Sequence, residues 1–247
     1  MKYIALFILF TLSHHCISQY NAKEDGIHSE FRPGIGWFFS GFKAYEVEKL
    51  RKYDRLIIDL VYNDWHGDTK AFKSPWSSIG INAAFMFDIP FTQANTVGMG
   101  IGIGISHYSN RTKWQFSRDF LNKATLASDF NASNMPKSNL YGANYIELPI
   151  EFRFKTKGIQ HFKFFVGGKI GYRLNDYTKE VYRKDGKNYP IKQYNFIDSN
   201  PLRYGITARI GIRNWALFGA YYFSPIFKRK ESVQLYPFSI GISVSWF

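Results

Sequence analysis

Hydrophobic and polar residues alternate in eight segments of roughly ten residues, which recur from residue 55 to the end of the chain. The segments are 55–65, 77–89, 96–108, 144–155, 161–174, 202–213, 215–223 and 236–247. Because successive side chains of a strand point to opposite faces, this alternation predicts β-strands with one apolar and one polar face. Past the first 20 residues, no apolar run reaches the roughly 20 residues that a transmembrane helix needs. We therefore expect an all-β fold.

The fourth segment illustrates the two faces. Ile146, Leu148 and Ile150 share one face, whereas Glu147 and Glu151 share the other. A soluble sandwich turns its apolar face to the core, and a membrane barrel turns that face to lipid. Alternation alone does not distinguish these two folds.

The connections between the segments do distinguish the two folds, because short and long gaps alternate along the chain. The short gaps are 90–95, 156–160 and the turn at 213–215, and the long gaps are 66–76, 109–143, 175–201 and 224–234. Outer-membrane barrels have short periplasmic turns and longer outer loops, and closure of an even number of strands leaves no unpaired edge. The sequence therefore predicts an eight-stranded antiparallel transmembrane β-barrel over residues 55–247, with both termini in the periplasm.

The N-terminal residues predict export. A lysine precedes an apolar run from Ile4 to Leu12, and small and polar residues follow, as in a secretory signal peptide. We assign residues 1–19 to the signal peptide and residues 20–54 to a short periplasmic N-terminal extension. The only cysteine, Cys16, lies within the leader, so the mature chain has no thiol for a disulfide or a thiolate metal site.

The formal net charge of +13 indicates anionic partners. An exported protein does not meet nucleic acid, so we expect no nucleic-acid partner. Outer-membrane lipid and lipopolysaccharide, whose phosphates are anionic, and other outer-membrane or secretion proteins are the expected partners. Basic loops that only keep the protein solvated are the alternative explanation.

The parity of the segments predicts which charged residues face the lumen. They are Asp59, Asp88, Glu147, Glu151, Arg153, Lys163, Lys169, Arg173, Arg203, Arg209 and Arg213. The interior of an eight-stranded barrel is just wide enough for side chains to fill, and buried charges must pair. We therefore expect a salt-bridge network in the lumen, with a small pore as the alternative.

The stretch TVGMGIGIGIS at 96–106 has glycines at every second position. A dinucleotide-binding loop has the spacing Gly-x-Gly-x-x-Gly and opens a helix, which excludes a nucleotide site here. We expect the glycines to leave room in the lumen for longer side chains of other strands. The residues between them are expected to face lipid: Val97, Met99, Ile101, Ile103 and Ile105.

Three motifs make the chain resemble the PorT-like outer-membrane β-barrel family of Bacteroidetes-type bacteria. They are YNDW in the first strand, FDIPF after the second strand and GGKIGYRLN in the fifth strand. The resemblance implies an eight-stranded barrel, and the namesake of the family is needed for type IX protein secretion. We expect a non-enzymatic anchor or assembly subunit, associated with type IX secretion by this resemblance, that presents the long loops 109–143 and 175–201 to partner proteins.

An enzymatic alternative rests on SHYSN at residues 106–110. His-x-Ser-Asn resembles the catalytic motif of outer-membrane lipid A deacylases, and His107 and Ser109 share the parity of the lipid-facing residues. The resemblance implies a histidine base beside a serine nucleophile. The sequence identifies no acid that would orient His107.

No metal or cofactor site is predicted, because the histidines of the mature chain are scattered and no His-Glu-x-x-His motif occurs. Several aromatic residues are expected to form the girdles that anchor a barrel at the two membrane surfaces. They are Trp65, Trp76, Tyr108, Trp215 and Trp246.

Overall fold

The computed structural model describes residues 56–67, 76–92, 95–119, 121–130, 135–156, 162–184 and 186–246. These residues form eleven β-strands: β1 (Leu56–Gly67), β2 (Ile79–Pro90), β3 (Val97–Arg111), β4 (Trp114–Asp119), β5 (Ala124–Asp129), β6 (Ser138–Lys155), β7 (Phe162–Lys184), β8 (Lys187–Tyr194), β9 (Leu202–Ile212), β10 (Trp215–Tyr222) and β11 (Leu235–Trp246). The described part of the chain contains no helix that is long and apolar enough to cross a membrane. The predicted signal peptide at 1–19 and extension at 20–54 lie outside the described residues.

Eight of the strands close into an antiparallel barrel. The order around the ring is β1, β2, β3, β6, β7, β9, β10 and β11, and β11 pairs with β1. These strands correspond to the eight segments of the sequence analysis, so the predicted fold class is confirmed. The bounds differ most at β6, which begins at Ser138 rather than residue 144, and at β7, which ends at Lys184 rather than residue 174.

The connections divide the barrel into a turn end and a loop end. The turn end carries the short connections 91–96, 156–161 and 213–214. The loop end carries the long connections 68–78, 112–137, 185–201 and 223–234. Leu56 pairs with Trp246, so the first and last barrel strands begin and finish at the turn end. All four long connections therefore join strands at the same end of the barrel.

The outer face of the barrel is apolar and the inner face is polar. On β6, Leu148 is 55% exposed and Ile150 is 44% exposed, whereas Glu147 and Glu151, which flank them in sequence, are buried. A soluble protein has the opposite arrangement. The outward apolar side chains form a belt, as lipid contact requires.

A β-bulge at Leu174 explains why β7 is longer than predicted. Tyr145 of β6 pairs with Arg173, whereas Asn144 pairs with Asn175, so Leu174 has no partner across the strand. Inward positions are odd-numbered before the bulge and even-numbered after it, where Asp176 is buried. The alternation therefore stops at the bulge in the sequence, although the strand continues.

The loop end contains three strands that the sequence analysis does not predict. β4 and β5 form a hairpin between β3 and β6. β8 pairs with the part of β7 that extends past the bulge, from Tyr177 to Lys184. The two longest connections therefore both contain regular structure.

Candidate functional site

The first part of the site is a chain of ion pairs across the lumen. Asp59 of β1 contacts Arg209 of β9, with Oδ2 2.9 Å from Nη2. Arg209 also pairs with Glu151 of β6, and the other carboxylate oxygen of Glu151 is 3.2 Å from Arg153. Arg153 pairs in turn with Asp88 of β2. These strands are not all neighbours on the ring, so the chain of pairs spans the interior.

A second group of charges surrounds Glu147 on β6. Its Oε2 is 3.0 Å from Lys169 Nζ, and its Oε1 is 2.5 Å from Arg203 Nη2. Arg203 also donates to Ser106 Oγ at 2.6 Å, and its Cζ lies 3.6 Å from the centre of the Tyr145 ring. Both cations thus share one carboxylate and are further stabilised by hydroxyl and aromatic groups.

The remaining predicted lumen residues lie nearer the two ends. Arg173 is half-buried, and its Nη1 is 2.6 Å from Oδ1 of Asp176, a residue that the sequence analysis missed because the bulge inverts the parity. Lys163 is buried and donates to Ser245 Oγ at 2.8 Å. Ser245 lies on the lumen face of β11, together with the buried Ser239 and Ser243.

Arg213 was predicted to face the lumen, and that prediction is wrong. Ile212 of β9 pairs with Trp215 of β10, so Arg213 and Asn214 form a two-residue turn. Arg213 has φ 56° and is exposed. Strand alternation ends at Ile212, and parity says nothing about a turn residue.

The second part of the site is an aromatic cap over the loop end. Phe116 of the β4–β5 hairpin lies at its centre. Its ring is 5.8 Å from Phe227, 6.0 Å from Trp65, 5.9 Å from Tyr141 and 6.4 Å from Phe196, centre to centre. Three loops thus contribute a buried side chain each and pack them against two barrel strands. We call this cluster the cap.

Polar contacts tie the same three loops together. Thr125 of β5 donates from Oγ1 to Asp198 Oδ1 at 2.5 Å and from its backbone nitrogen to Asp198 Oδ2 at 3.0 Å. That nitrogen also lies 3.1 Å from Ser232 Oγ, and Val233 donates to the Thr125 carbonyl oxygen at 3.1 Å. The described parts of the loops 112–137, 185–201 and 223–234 therefore form one packed unit.

Two of the residues predicted for the aromatic girdle belong to the cap instead. Trp65 and Tyr108 are each 3% exposed and belong to the cap, because both point into the barrel. Trp76 and Trp215 are exposed and Trp246 is half-buried, all outside the lumen. Aromatic residues within the loops, such as Trp114, Phe116 and Phe227, are the signal that could have predicted a buried cluster there.

The outer surface of the loop end is strongly basic. Its exposed or half-buried cations are Arg111, Lys113, Arg118, Lys123, Lys137, Lys179, Arg183, Lys184, Lys187, Lys192, Lys228, Arg229 and Lys230. Exposed or half-buried acids on the same described segments are fewer, namely Asp119, Asp129, Glu180 and Glu231. The field at this end therefore favours anionic partners.

The candidate catalytic pair is arranged differently from a hydrolase dyad. His107 Nδ1 lies 2.7 Å from Asn144 Oδ1, and the Asn144 amide in turn donates to Asn175. An amide oxygen does not supply the negative charge with which a carboxylate stabilises an imidazolium. The second residue of the pair, Ser109, is buried, with 6% of its surface exposed.

Within the described residues, no group of three or more His, Cys, Asp or Glu side chains could hold a metal ion.

The outward residues of β3 lie where the sequence analysis placed them relative to the lumen. Ile101, Ile103 and Ile105 are exposed on the outer face, and Val97 and Met99 are half-buried there. On the inner face, Gly100 accommodates the Arg153 guanidinium, because a Cβ at Gly100 would lie 2.5 Å from Arg153 Nε.

Comparison with known proteins supplies one sequence family and two solved structures. The profile of the outer membrane protein beta-barrel domain matches residues 29–227. The structures are Ail, the attachment invasion locus protein of Yersinia pestis, and the same protein in complex with the heparin analogue sucrose octasulfate. The first has 12% sequence identity and a TM-score of 0.33, and covers 78% of this chain and 97% of Ail. The second has 11% identity and a TM-score of 0.32, with the same coverage. No curated protein matches the chain.

Proposed function

The chain belongs to the outer membrane protein beta-barrel domain family, and from that premise we propose that it is a non-enzymatic anchor or assembly subunit that presents its loop end to partner proteins. The observation that carries the proposal is the cap. Loops that only connect strands do not need a shared core, whereas three loops packed around Phe116 form a rigid surface. Rigid surfaces lose less conformational freedom when they bind a partner.

The lumen supports a structural rather than a conducting role. The ion pairs that join Asp59, Arg209, Glu151, Arg153 and Asp88 occupy the interior of a barrel that has only eight strands. With the interior filled, the outer surfaces are left for function. We therefore favour a binding role over the small-pore alternative.

The resemblance to the PorT-like family extends the proposal to type IX secretion. In that role the loop end would face the cell exterior, and the turn end and N-terminal extension would face the periplasm. The deacylase alternative gains no support from the contacts of His107, whose partner is Asn144.

The proposal is tested by quantitative affinity purification from outer membranes solubilised in detergent. The test variant replaces Lys228, Arg229 and Lys230 with Gln, which removes charge from the loop end without changing a buried side chain. The matched control replaces Arg213, which is exposed at the turn end, with Gln. We expect outer-membrane or secretion proteins to co-purify with wild type and with the control, and to be depleted with the test variant.

Three results would count against the proposal. Co-purification of no outer-membrane or secretion protein with wild type would remove the assembly role. Normal export of type IX cargo in a deletion strain would remove the secretion association and leave only the more general anchor. A lipid A acyl count that changes on overexpression, and does not change with His107→Ala, would instead favour the enzyme.

A further inference from the structure

A cavity of about 440 Å³ lies at the loop end, between the end of β3 and the start of β6. Three cations line it, Arg111, Lys113 and Lys137, and all three are exposed. No Asp or Glu is among the described residues that line the cavity. The cavity therefore favours an anionic ligand of the size of a small molecule.

Backbone hydrogen bonds anchor the chain at two of these cations. Arg111 donates its backbone N–H to Ser78 Oγ at 2.9 Å and pairs with Leu140 across the barrel sheet. The Lys137 N–H donates to the Val181 carbonyl oxygen at 2.8 Å. These two side chains therefore project from an anchored backbone, which reduces the entropy lost when they bind an anion.

Hydroxyl groups line the same cavity. Ser77 is exposed and Ser138 is half-buried, and Ser138 Oγ accepts a hydrogen bond from Arg111 Nη1 at 3.4 Å. A serine hydroxyl can both donate and accept a hydrogen bond, so it suits a ligand with hydroxyl groups of its own. A ligand that fits this site would carry a hydroxyl group as well as a negative charge.

The cavity also has an apolar side. Phe130, Met135 and Pro136 line it, and Met135 is 60% exposed. Apolar side chains of this kind pack against the C–H face of a ligand ring and orient it, while a small number of polar groups provide specificity.

We propose that this cavity binds an acidic saccharide, a hexose ring that carries a phosphate or a carboxylate. The cations bind the anionic group, the Ser77 and Ser138 hydroxyls form hydrogen bonds with the ring hydroxyls, and the apolar side packs against the ring. Inorganic phosphate would satisfy only the first of these three features. The site is distinct from the protein-binding role proposed above and does not depend on it.

Two sources of such a saccharide are available to an outer-membrane protein. One is the phosphorylated sugar of lipopolysaccharide in the same leaflet, and the other is a soluble saccharide outside the cell. The chemistry of recognition is shared, so the experiment must separate the sources.

The test measures binding to the full-length barrel refolded in detergent, by calorimetry or chemical-shift titration. The probes are glucose 6-phosphate and glucuronic acid, with glucose and inorganic phosphate as controls. We expect at least one charged sugar to bind at least about tenfold more tightly than both controls, a difference that corresponds to one additional ionic or hydrogen-bonded contact.

Matched variants localise the binding. Lys113→Gln combined with Lys137→Gln removes two cations of the cavity, and Lys228→Gln combined with Lys230→Gln removes two exposed cations elsewhere at the loop end. We expect the first pair to weaken binding by about tenfold and the second pair to leave it within about twofold. Equal weakening by both pairs would indicate general charge attraction and would overturn the proposal.

Three further outcomes would also overturn the proposal: no binding of either charged sugar, binding of inorganic phosphate as tight as that of the sugar phosphate, or tighter binding of an acidic peptide of equal charge. The source is resolved in nanodiscs. If lipopolysaccharide in the bilayer weakens the binding of glucose 6-phosphate to wild type, the resident ligand is the lipid sugar. Unchanged binding with lipopolysaccharide present identifies a soluble saccharide.

Discussion

Glu147 has two cations as partners, so its replacement should lower the free energy of unfolding more than the replacement of an exposed acid. Glu147→Gln keeps the size of the side chain but leaves Lys169 and Arg203 without their shared carboxylate in a buried site. Breaking a buried pair in this way destabilises a protein by about 3–5 kcal/mol. We expect a loss of this size in the free energy of unfolding, measured by urea titration of the barrel in micelles with tryptophan fluorescence.

The control for this prediction is Glu231→Gln, which makes the same chemical change at an exposed position of the loop end. An exposed substitution of this kind should change the free energy of unfolding by no more than about 0.5 kcal/mol. Equal effects of the two substitutions would show that the lumen charges are hydrated rather than paired.

Tyr182 offers a residue-level test at the tip of the β7–β8 hairpin, outside the apolar belt. Partial burial and the Glu180 carboxylate, which accepts a hydrogen bond from the Tyr182 hydroxyl at 2.7 Å, raise the pKa of Tyr182 from 10.0 to about 12. Because the pKa of Tyr182 is higher in the folded hairpin than in the unfolded chain, the neutral phenol stabilises the folded state below pH 10. This contribution is lost as the pH rises through about 12.

We expect Glu180→Gln to lower the pKa of Tyr182 toward its ordinary value, since the negative charge that opposes phenolate formation is removed. The Tyr182 ring carbon bonded to the hydroxyl group reports this ionisation in an NMR pH titration. The variant Glu231→Gln should leave the titration unchanged. An unaltered pKa in Glu180→Gln would mean that the two side chains do not interact in solution.

At the scale of strands, the sequence predicts the barrel because its alternation has a physical cause at every position. One face meets lipid and the other meets the lumen, so each strand must alternate. The same logic fails at Leu174, where a bulge inverts the parity, and at Arg213, which lies in a turn. The loop hairpins were missed because their contacts depend on residues far away in sequence, such as Phe116 with Phe227.

The strand faces can be tested with two apolar side chains of nearly equal exposure. Ile103 of β3 is 50% exposed in the apolar belt, and Tyr189 of β8 is 49% exposed on the hairpin beyond it. Ile103→Arg places a charge in hydrocarbon and should destabilise the barrel in lipid vesicles by about 2–4 kcal/mol. Tyr189→Arg should have an effect within about 0.5 kcal/mol, because that site is in water. Equal effects in a vesicle refolding titration would argue against a lipid-facing β3.

The cap should open independently of the barrel strands. Phe227 is fully buried, and Phe227→Ala removes the ring that contacts Phe116, Tyr141 and Phe196. A truncation of this size in a packed core costs about 3–5 kcal/mol. We expect amide hydrogen exchange in β4 and β5 to accelerate at least about tenfold, while β9 and β10 stay protected. Phe91→Ala, at a 57% exposed position of the turn end, should leave exchange in the cap unchanged.

At the scale of the whole molecule, two separate barriers close the barrel. The cap covers the loop end, and the ion pairs from Asp59 to Asp88 cross the lumen beneath it. The sequence predicts the second barrier from parity and strand number, and it does not predict the first. The distinction matters for function, because a removable cap over an open channel would be a gate, whereas a cap over a filled lumen cannot gate a current.

Conductance measurements separate these two descriptions. We expect wild type to give no current steps in planar lipid bilayers, since eight strands enclose an interior that side chains fill. Phe227→Ala should also remain silent, because loss of the cap leaves the pairs around Glu151 and Arg209 in place. A sixteen-stranded porin inserted under the same conditions is the positive control. Current steps in Phe227→Ala alone would identify the cap as a gate, and steps in wild type would show that water and ions pass the charged lumen without removal of any side chain.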